Sequence, residues 1–180
     1  TPRKKLRQWL KKKGLTILKN EFFPLGLILI LAFSRLIPHP PNFTPIIAVA
    51  IMSGYLFRNI YLSITVLVVS MFITDLIIGL HSNMTFVYLS LFLIVILFFK
   101  INDKIKLSNL FVFGFIGSLI FYFVSNFGVW ALSNMYEASL TGLIECYIAA
   151  IPFFKNTLFS TIIFSYGAFL ANKLFNKKYA

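Results

Sequence analysis

Five residues put chemistry into an otherwise apolar chain: Arg35, His39, Asn42, Asp75 and His81. They bring a fixed cation, an amide, a carboxylate and two titratable imidazoles into or beside hydrophobic segments, where an ionisable group is costly unless something pairs with it or uses it. Three of them fall in the stretch Arg35-Leu36-Ile37-Pro38-His39-Pro40-Pro41-Asn42-Phe43-Thr44-Pro45. Pro38, Pro40 and Pro41 lack an N–H and bias the residue before them away from helix, so a helix arriving here must stop near Ile37. Asp75 precedes the loop that carries His81 by about five residues, or roughly 7 to 8 Å at a helical rise. A charge at the centre of a membrane helix costs about 2.5 to 3.5 kcal/mol on insertion scales, so Arg35 and Asp75 are expected to face each other or a cavity. Two readings follow: an ion pair tying the first helix to the third, or the floor of a pocket open to the outside.

A second group, Trp130, Tyr136, Glu145 and Cys146, lies within an apolar segment from Phe127 to Phe154. The aromatics fit membrane-interface anchors, or alternatively a stack against the planar face of a ligand. Ala138, Gly142, Cys146 and Ala150 recur every four residues and give one small face for close helix packing, with Glu137, Thr141 and Glu145 on the face beside it. His39, His81, Glu145 and Cys146 are donor types for a transition metal, but no local spacing unites them and no metal is assigned. The sequence has no Gly-rich phosphate loop, metalloprotease motif or serine nucleophile elbow, and Lys155 beside Pro152 does not make a Schiff-base lysine. A binding protein is expected rather than an enzyme.

These residues are positioned by membrane segments. The 180-residue chain is 59% hydrophobic, 12% charged and contains 22 phenylalanines, more apolar surface than a soluble domain of this length can hide. Apolar runs of roughly 15 to 22 residues predict an all-α, polytopic transmembrane bundle rather than a barrel. Spans are expected over about Phe22–Ile37, Pro45–Phe57, Ile60–Leu80, Met84–Phe99, Leu107–Asn126 and Thr157–Phe175. That makes six, with a re-entrant or interfacial helix over Phe127–Phe154 before the last; seven is the competing count. Residues 21–180 form one domain behind a basic arm, residues 1–20, which holds eight of the 17 basic residues. The arm reads as a cytoplasmic topology anchor or an anionic-lipid contact, not as a nucleic-acid site. A clear secretory signal is absent, and Thr1 leaves the native start open. Arg58, Lys100, Lys104, Lys106, Lys173, Lys177 and Lys178 fall on the arm's side, so the expected home is a bacterial inner membrane with both termini cytoplasmic. The lone cysteine allows no internal disulfide.

The runs RLIPHPPNFTPI, TDLIIGLH, SNFGVW and GLIECYIAAIPFFKNT resemble an uncharacterised family of small bacterial inner-membrane proteins recognised by a PHPPNFTP loop. The resemblance covers roughly residues 35–158. It implies an acidic residue shortly after the Asn156-Thr157 pair, where this chain has Leu158-Phe159-Ser160-Thr161. More distantly, the chain is similar to the S-components of energy-coupling-factor vitamin transporters, including the solitary cobalamin-binding type. That likeness implies six helices, cytoplasmic termini, a vitamin pocket built from outward loops and, from the cobalamin-binding type, a corrinoid as ligand. The Ala-x-x-x-Ala docking pattern of the S-component first helix is missing; Ala50-x-x-x-Gly54 in the second segment comes nearest.

The expected function is small-molecule binding through an outward-facing pocket, for uptake of a vitamin or related cofactor. Arg35, His39, Asn42, Asp75 and His81 would supply charge and hydrogen bonds, with Trp130, Tyr136, Glu145 and Cys146 as the opposite wall. The expected partners are the lipid bilayer, the small molecule and other membrane proteins. The rival reading is a structural or assembly subunit of a larger membrane complex; a third is a proton-coupled carrier using Asp75 or Glu145.

Overall fold

A computed structural model describes residues 21–179, and the basic arm over residues 1–20 lies outside the described residues. The described chain is all-helical: α1 Glu21–Ser34, α2 Ile46–Leu56, α3 Ile60–Ile78, α4 Met84–Lys100, α5 Leu110–Leu132 and α6 Leu140–Tyr179, with a 3-10 turn at Asn102–Lys104. Three of these, α3, α5 and α6, are long and apolar enough to cross a bilayer. At 1.5 Å per residue α2 reaches only about 16 Å, against a hydrocarbon core of about 30 Å. Of the six spans expected from hydropathy, three are helices long enough to cross among the described residues.

The helices are greasy outside and small or polar inside. On α3 the buried positions are Ser63, Val66, Leu67, Ser70, Met71, Thr74 and Asp75, one face at helical spacing, while Val69, Phe72, Leu76 and Ile77 are exposed. On α5 the buried set includes Gly114, Gly117, Ser118, Ser125 and Gly128, with Phe111, Phe115 and Phe123 outside. In water that arrangement would be inside out. In lipid it is the expected one, because helices there gain from close packing of small residues, and tails cover the bulky side chains.

Nine consecutive residues of α2, Ile46 to Gly54, are buried, so this short helix is the axis on which the others pack. Gly54 makes that possible: a Cβ here would lie 2.6 Å from the Val95 carbonyl oxygen, so α2 and α4 cross backbone to backbone. Asn59 starts α3 by accepting the Tyr61 and Leu62 N–H groups, at 2.8 and 3.4 Å. Gly79 ends it at φ 119°, a conformation that side chains disfavour. Phe23 stacks on Phe175 at 3.8 Å, which brings the start of α1 and the end of α6 to one end of the bundle.

The segment Phe127–Phe154 corrects the expectation of a separate re-entrant or interfacial helix. Its first residues prolong α5 to Leu132, a turn follows, and its remainder belongs to α6, which runs 40 residues, about 60 Å, straight through Pro152. Proline removes one hydrogen bond from a helix but does not end one whose neighbours hold it. Here Tyr147 and Cys146, before the proline, bond to α5, and Asn156, after it, bonds to the proline loop. Among the described residues the helix shortest of a span is instead α2, which follows the proline loop. Asn156, in the middle of α6, donates to the Pro41 carbonyl at 2.9 Å, so this loop sits against the middle of the longest helix.

Candidate functional site

Two polar clusters occupy the end of the bundle where α3 turns into α4. The first is the pair foreseen between Arg35 and Asp75. α1 stops as the prolines dictate, and its last turn tightens into i to i−3 bonds from Arg35, Leu36 and Ile37. That exit aims the Arg35 guanidinium at the inward face of α3. Its Nη1 donates to Asp75 Oδ1 at 2.6 Å and to Thr74 Oγ1 at 2.9 Å, with Met71 Sδ at 3.7 Å. Tyr88 of α4 donates its hydroxyl to the other carboxylate oxygen, Oδ2, at 2.7 Å. Asp75 is 1% exposed. Each Asp75 oxygen thus has a donor, and the group ties the α1 exit, α3 and α4 together. Such a network holds helices in register, and it leaves Arg35 Nε buried without a partner.

His39 does not join it. Its ring nitrogens lie 3.0 Å from the Pro40 carbonyl and 3.2 Å from the Arg35 carbonyl, so it holds the loop's own backbone. Asn42 turns the loop at φ 59°, a left-handed position that asparagine tolerates better than most residues.

The second cluster is a cavity of about 250 Å³. Asn42 contributes from the proline loop, His81 and Asn83 from the α3–α4 turn, Tyr122, Ser125 and Asn126 from α5, and Phe153, Phe154 and Thr157 from α6. No carboxylate, lysine or arginine lines it. Asn83 is its most informative member. Its Nδ2 donates to the Ser125 carbonyl at 2.9 Å, fixing the amide's orientation, while its buried Oδ1 has no protein partner. Gly128 allows this approach, since a Cβ there would collide with Asn83 Oδ1 and the Phe86 ring. An orphaned buried acceptor is costly, and this one belongs to a residue of the cavity wall, packed toward Gly128.

The residues expected on the opposite wall are divided. Cys146 is buried and points its thiol at the Asn126 carbonyl, 3.4 Å away, on the small face where Gly142 and Ala150 are also buried. Trp130 donates its indole N–H to the Glu137 carbonyl at 2.9 Å, bracing the α5–α6 turn. Tyr136 is half-buried in that turn and Glu145 is exposed on α6. Asn42 and His81 reach the cavity; Arg35 and Asp75 pair beside it. No three His, Cys, Asp or Glu side chains gather into a metal-holding group among the described residues.

Sequence reasoning missed Tyr88, Thr74 and Asn83. A lone tyrosine in an apolar helix reads as an interface anchor, and a threonine as packing. Asn83 read as a turn residue, though its place two positions after His81 was a usable signal.

No curated protein and no solved structure matches this chain. A family model, DUF6580, described as a family of unknown function, matches residues 16–180, and the chain belongs to that family.

Proposed function

We propose that this protein is an integral membrane protein that binds a small, uncharged molecule in the cavity between the proline loop, the α3–α4 turn, α5 and α6. The observation that carries the reading is a cavity walled by Asn42, His81, Asn83, Asn126 and Thr157 with no fixed charge among its lining residues; Asn83 also carries a buried Oδ1 without a protein partner. The ligand class follows from the walls. Amides, a hydroxyl and an imidazole offer hydrogen bonds, Phe121, Tyr122, Phe153 and Phe154 offer flat apolar contact, and no fixed charge selects an ion. A volume of 250 Å³ equals about eight waters at ~30 Å³ each, which suits a compact planar compound with N–H or O–H donors. A corrinoid is far too large for it, so within the vitamin-uptake reading the cargo is a small vitamin or a precursor. The basic residues near the other end orient the cavity outward, with both termini cytoplasmic, by the positive-inside rule. We read binding rather than catalysis because the lining hydroxyls of Tyr122, Ser125 and Thr157 each donate to a backbone carbonyl.

A second reading, an assembly subunit of a larger membrane complex, is favoured by the Arg35–Asp75–Tyr88 group. Both carboxylate oxygens of Asp75 are taken up within it, by Arg35 and Tyr88.

Purification from native membranes in mild detergent, followed by native mass spectrometry and an absorption spectrum, separates the two. A stoichiometric small adduct is expected on the wild type and not on His81→Leu/Asn126→Leu. An empty protein locked to stoichiometric protein partners would sink the binding reading in favour of the second.

A further inference from the structure

At the opposite end of the bundle a second cavity, about 360 Å³, opens between the end of α2, the segment before α5 and the last turns of α6. Its lining divides in two: Lys106, Asn172, Lys173 and Asn176 on one side, Tyr55, Ile105, Leu107 and Phe169 on the other. The apolar side is built. Tyr55 and Phe169 stack at 5.5 Å, and Ile105 is 5% exposed. The polar side is held by the chain before α5: Asn109 accepts the Lys106 N–H at 2.7 Å and donates to the Lys104 carbonyl at 2.8 Å, which fixes the loop that presents Lys106. Neither lysine has an acidic partner among the described residues. Among the described residues the ion pair is Arg35–Asp75, at the other end, and Asp103, the acidic residue nearest in sequence, bonds to neither lysine.

Two ammonium groups and two amides facing an aromatic and aliphatic wall make a site for an amphiphile with an anionic head. We propose that this cavity binds the phosphate-bearing headgroup of an anionic phospholipid, its phosphate against Lys106 and Lys173 and its glycerol and first acyl carbons against Tyr55, Leu107 and Phe169. The size favours lipid over a bare phosphate: 360 Å³ is about a dozen waters' worth. Its place also favours lipid, since this rim carries Arg58, Lys100 and Lys104 as well and a juxtamembrane cation attracts anionic lipid by about 1 kcal/mol each.

The test uses the full chain in mild detergent, with native mass spectrometry after titration with phosphatidylglycerol or phosphatidylcholine. Wild type is expected to retain phosphatidylglycerol in preference. Lys106→Gln/Lys173→Gln should retain one fewer, bound at least about tenfold more weakly, with phosphatidylcholine retention unchanged. Lys100→Gln/Lys104→Gln, which removes equal charge from the same rim but not from the cavity, should behave as wild type. Equal losses in both double variants would reduce the effect to bulk charge and overturn the site, as would no loss in either. Millimolar inorganic phosphate supplies the remaining arm. If it displaces the lipid, the lipid assignment falls to a soluble phosphate ligand; if it does not, the lipid assignment stands.

Discussion

The Arg35–Asp75–Tyr88 group and the cavity around Asn83 lie at the same end of the bundle and draw on the same kinds of residue, yet they are in opposite states. In the first, two helices and a loop bring a cation, a carboxylate and two hydroxyls together at hydrogen-bonding distance, and both carboxylate oxygens are partnered. In the second, three asparagines, a histidine and a threonine surround open space, and one buried amide oxygen is unpartnered. The first is packed around paired charges, with a donor, Arg35 Nε, left over; the second surrounds open space, with an acceptor left over. Charge alone, which drew attention to Arg35 and Asp75 in the sequence, does not distinguish them.

The sharpest way to break the comparison is to remove one partner of the charged network. Asp75→Ala leaves the Arg35 guanidinium uncompensated at 12% side-chain exposure and should destabilise the protein by about 3 to 5 kcal/mol. Replacing both partners, Arg35→Met with Asp75→Leu, should recover most of that, because apolar groups of similar volume need no pairing. Thermal unfolding in detergent measures both. If the double variant stays as unstable as Asp75→Ala, the pair does more than hold helices together, and a ligand or proton role for Asp75 regains ground.

Tyr88→Phe asks less. It keeps the ring packed and removes the 2.7 Å bond to Asp75 Oδ2, and should cost about 1 to 2 kcal/mol, given that hydrogen bonds inside membrane bundles run well below those to buried charges elsewhere. The loss should vanish in the Arg35→Met/Asp75→Leu background, where no carboxylate remains to accept. A loss of equal size in both backgrounds would assign the stability of Tyr88 to its ring.

Much of this was legible in the sequence where a local rule governs the outcome. The prolines forced the break after α1, the apolar runs marked the helices, and the cost of burying Arg35 and Asp75 left two outcomes, a shared cavity or each other, of which the structure has the second. The inward row Ser63, Ser70, Thr74 and Asp75 likewise follows from helical spacing once lipid is the solvent. What escaped was set by tertiary contact. Pro152 suggested a break that packing on α5 and the Asn156 bond prevent. Tyr88 acquires its role only because α4 lies beside α3, and Asn83 only because Gly128 lets the turn close onto α5. The apolar character of α2 looked sufficient for crossing, whereas its 11 residues are too few.

The smallest expected effect on stability belongs to the open cluster, and there the sign is what matters. Asn83→Ala removes two things at once. It deletes the 2.9 Å bond to the Ser125 carbonyl, a loss of about 1 kcal/mol, and it deletes the orphaned Oδ1, whose burial costs about 1 to 3 kcal/mol. The two terms oppose each other, so the ligand-free variant should be as stable as the wild type or slightly more so, measured by unfolding in detergent after exhaustive washing. Protein taken directly from native membranes should invert that order: the wild type, with a ligand donor on Oδ1, should melt higher than Asn83→Ala, and washing should lower the wild type alone. If Asn83→Ala is equally destabilised before and after washing, Oδ1 is satisfied within the protein, and the cavity closes into a network of the same kind as Arg35, Asp75 and Tyr88.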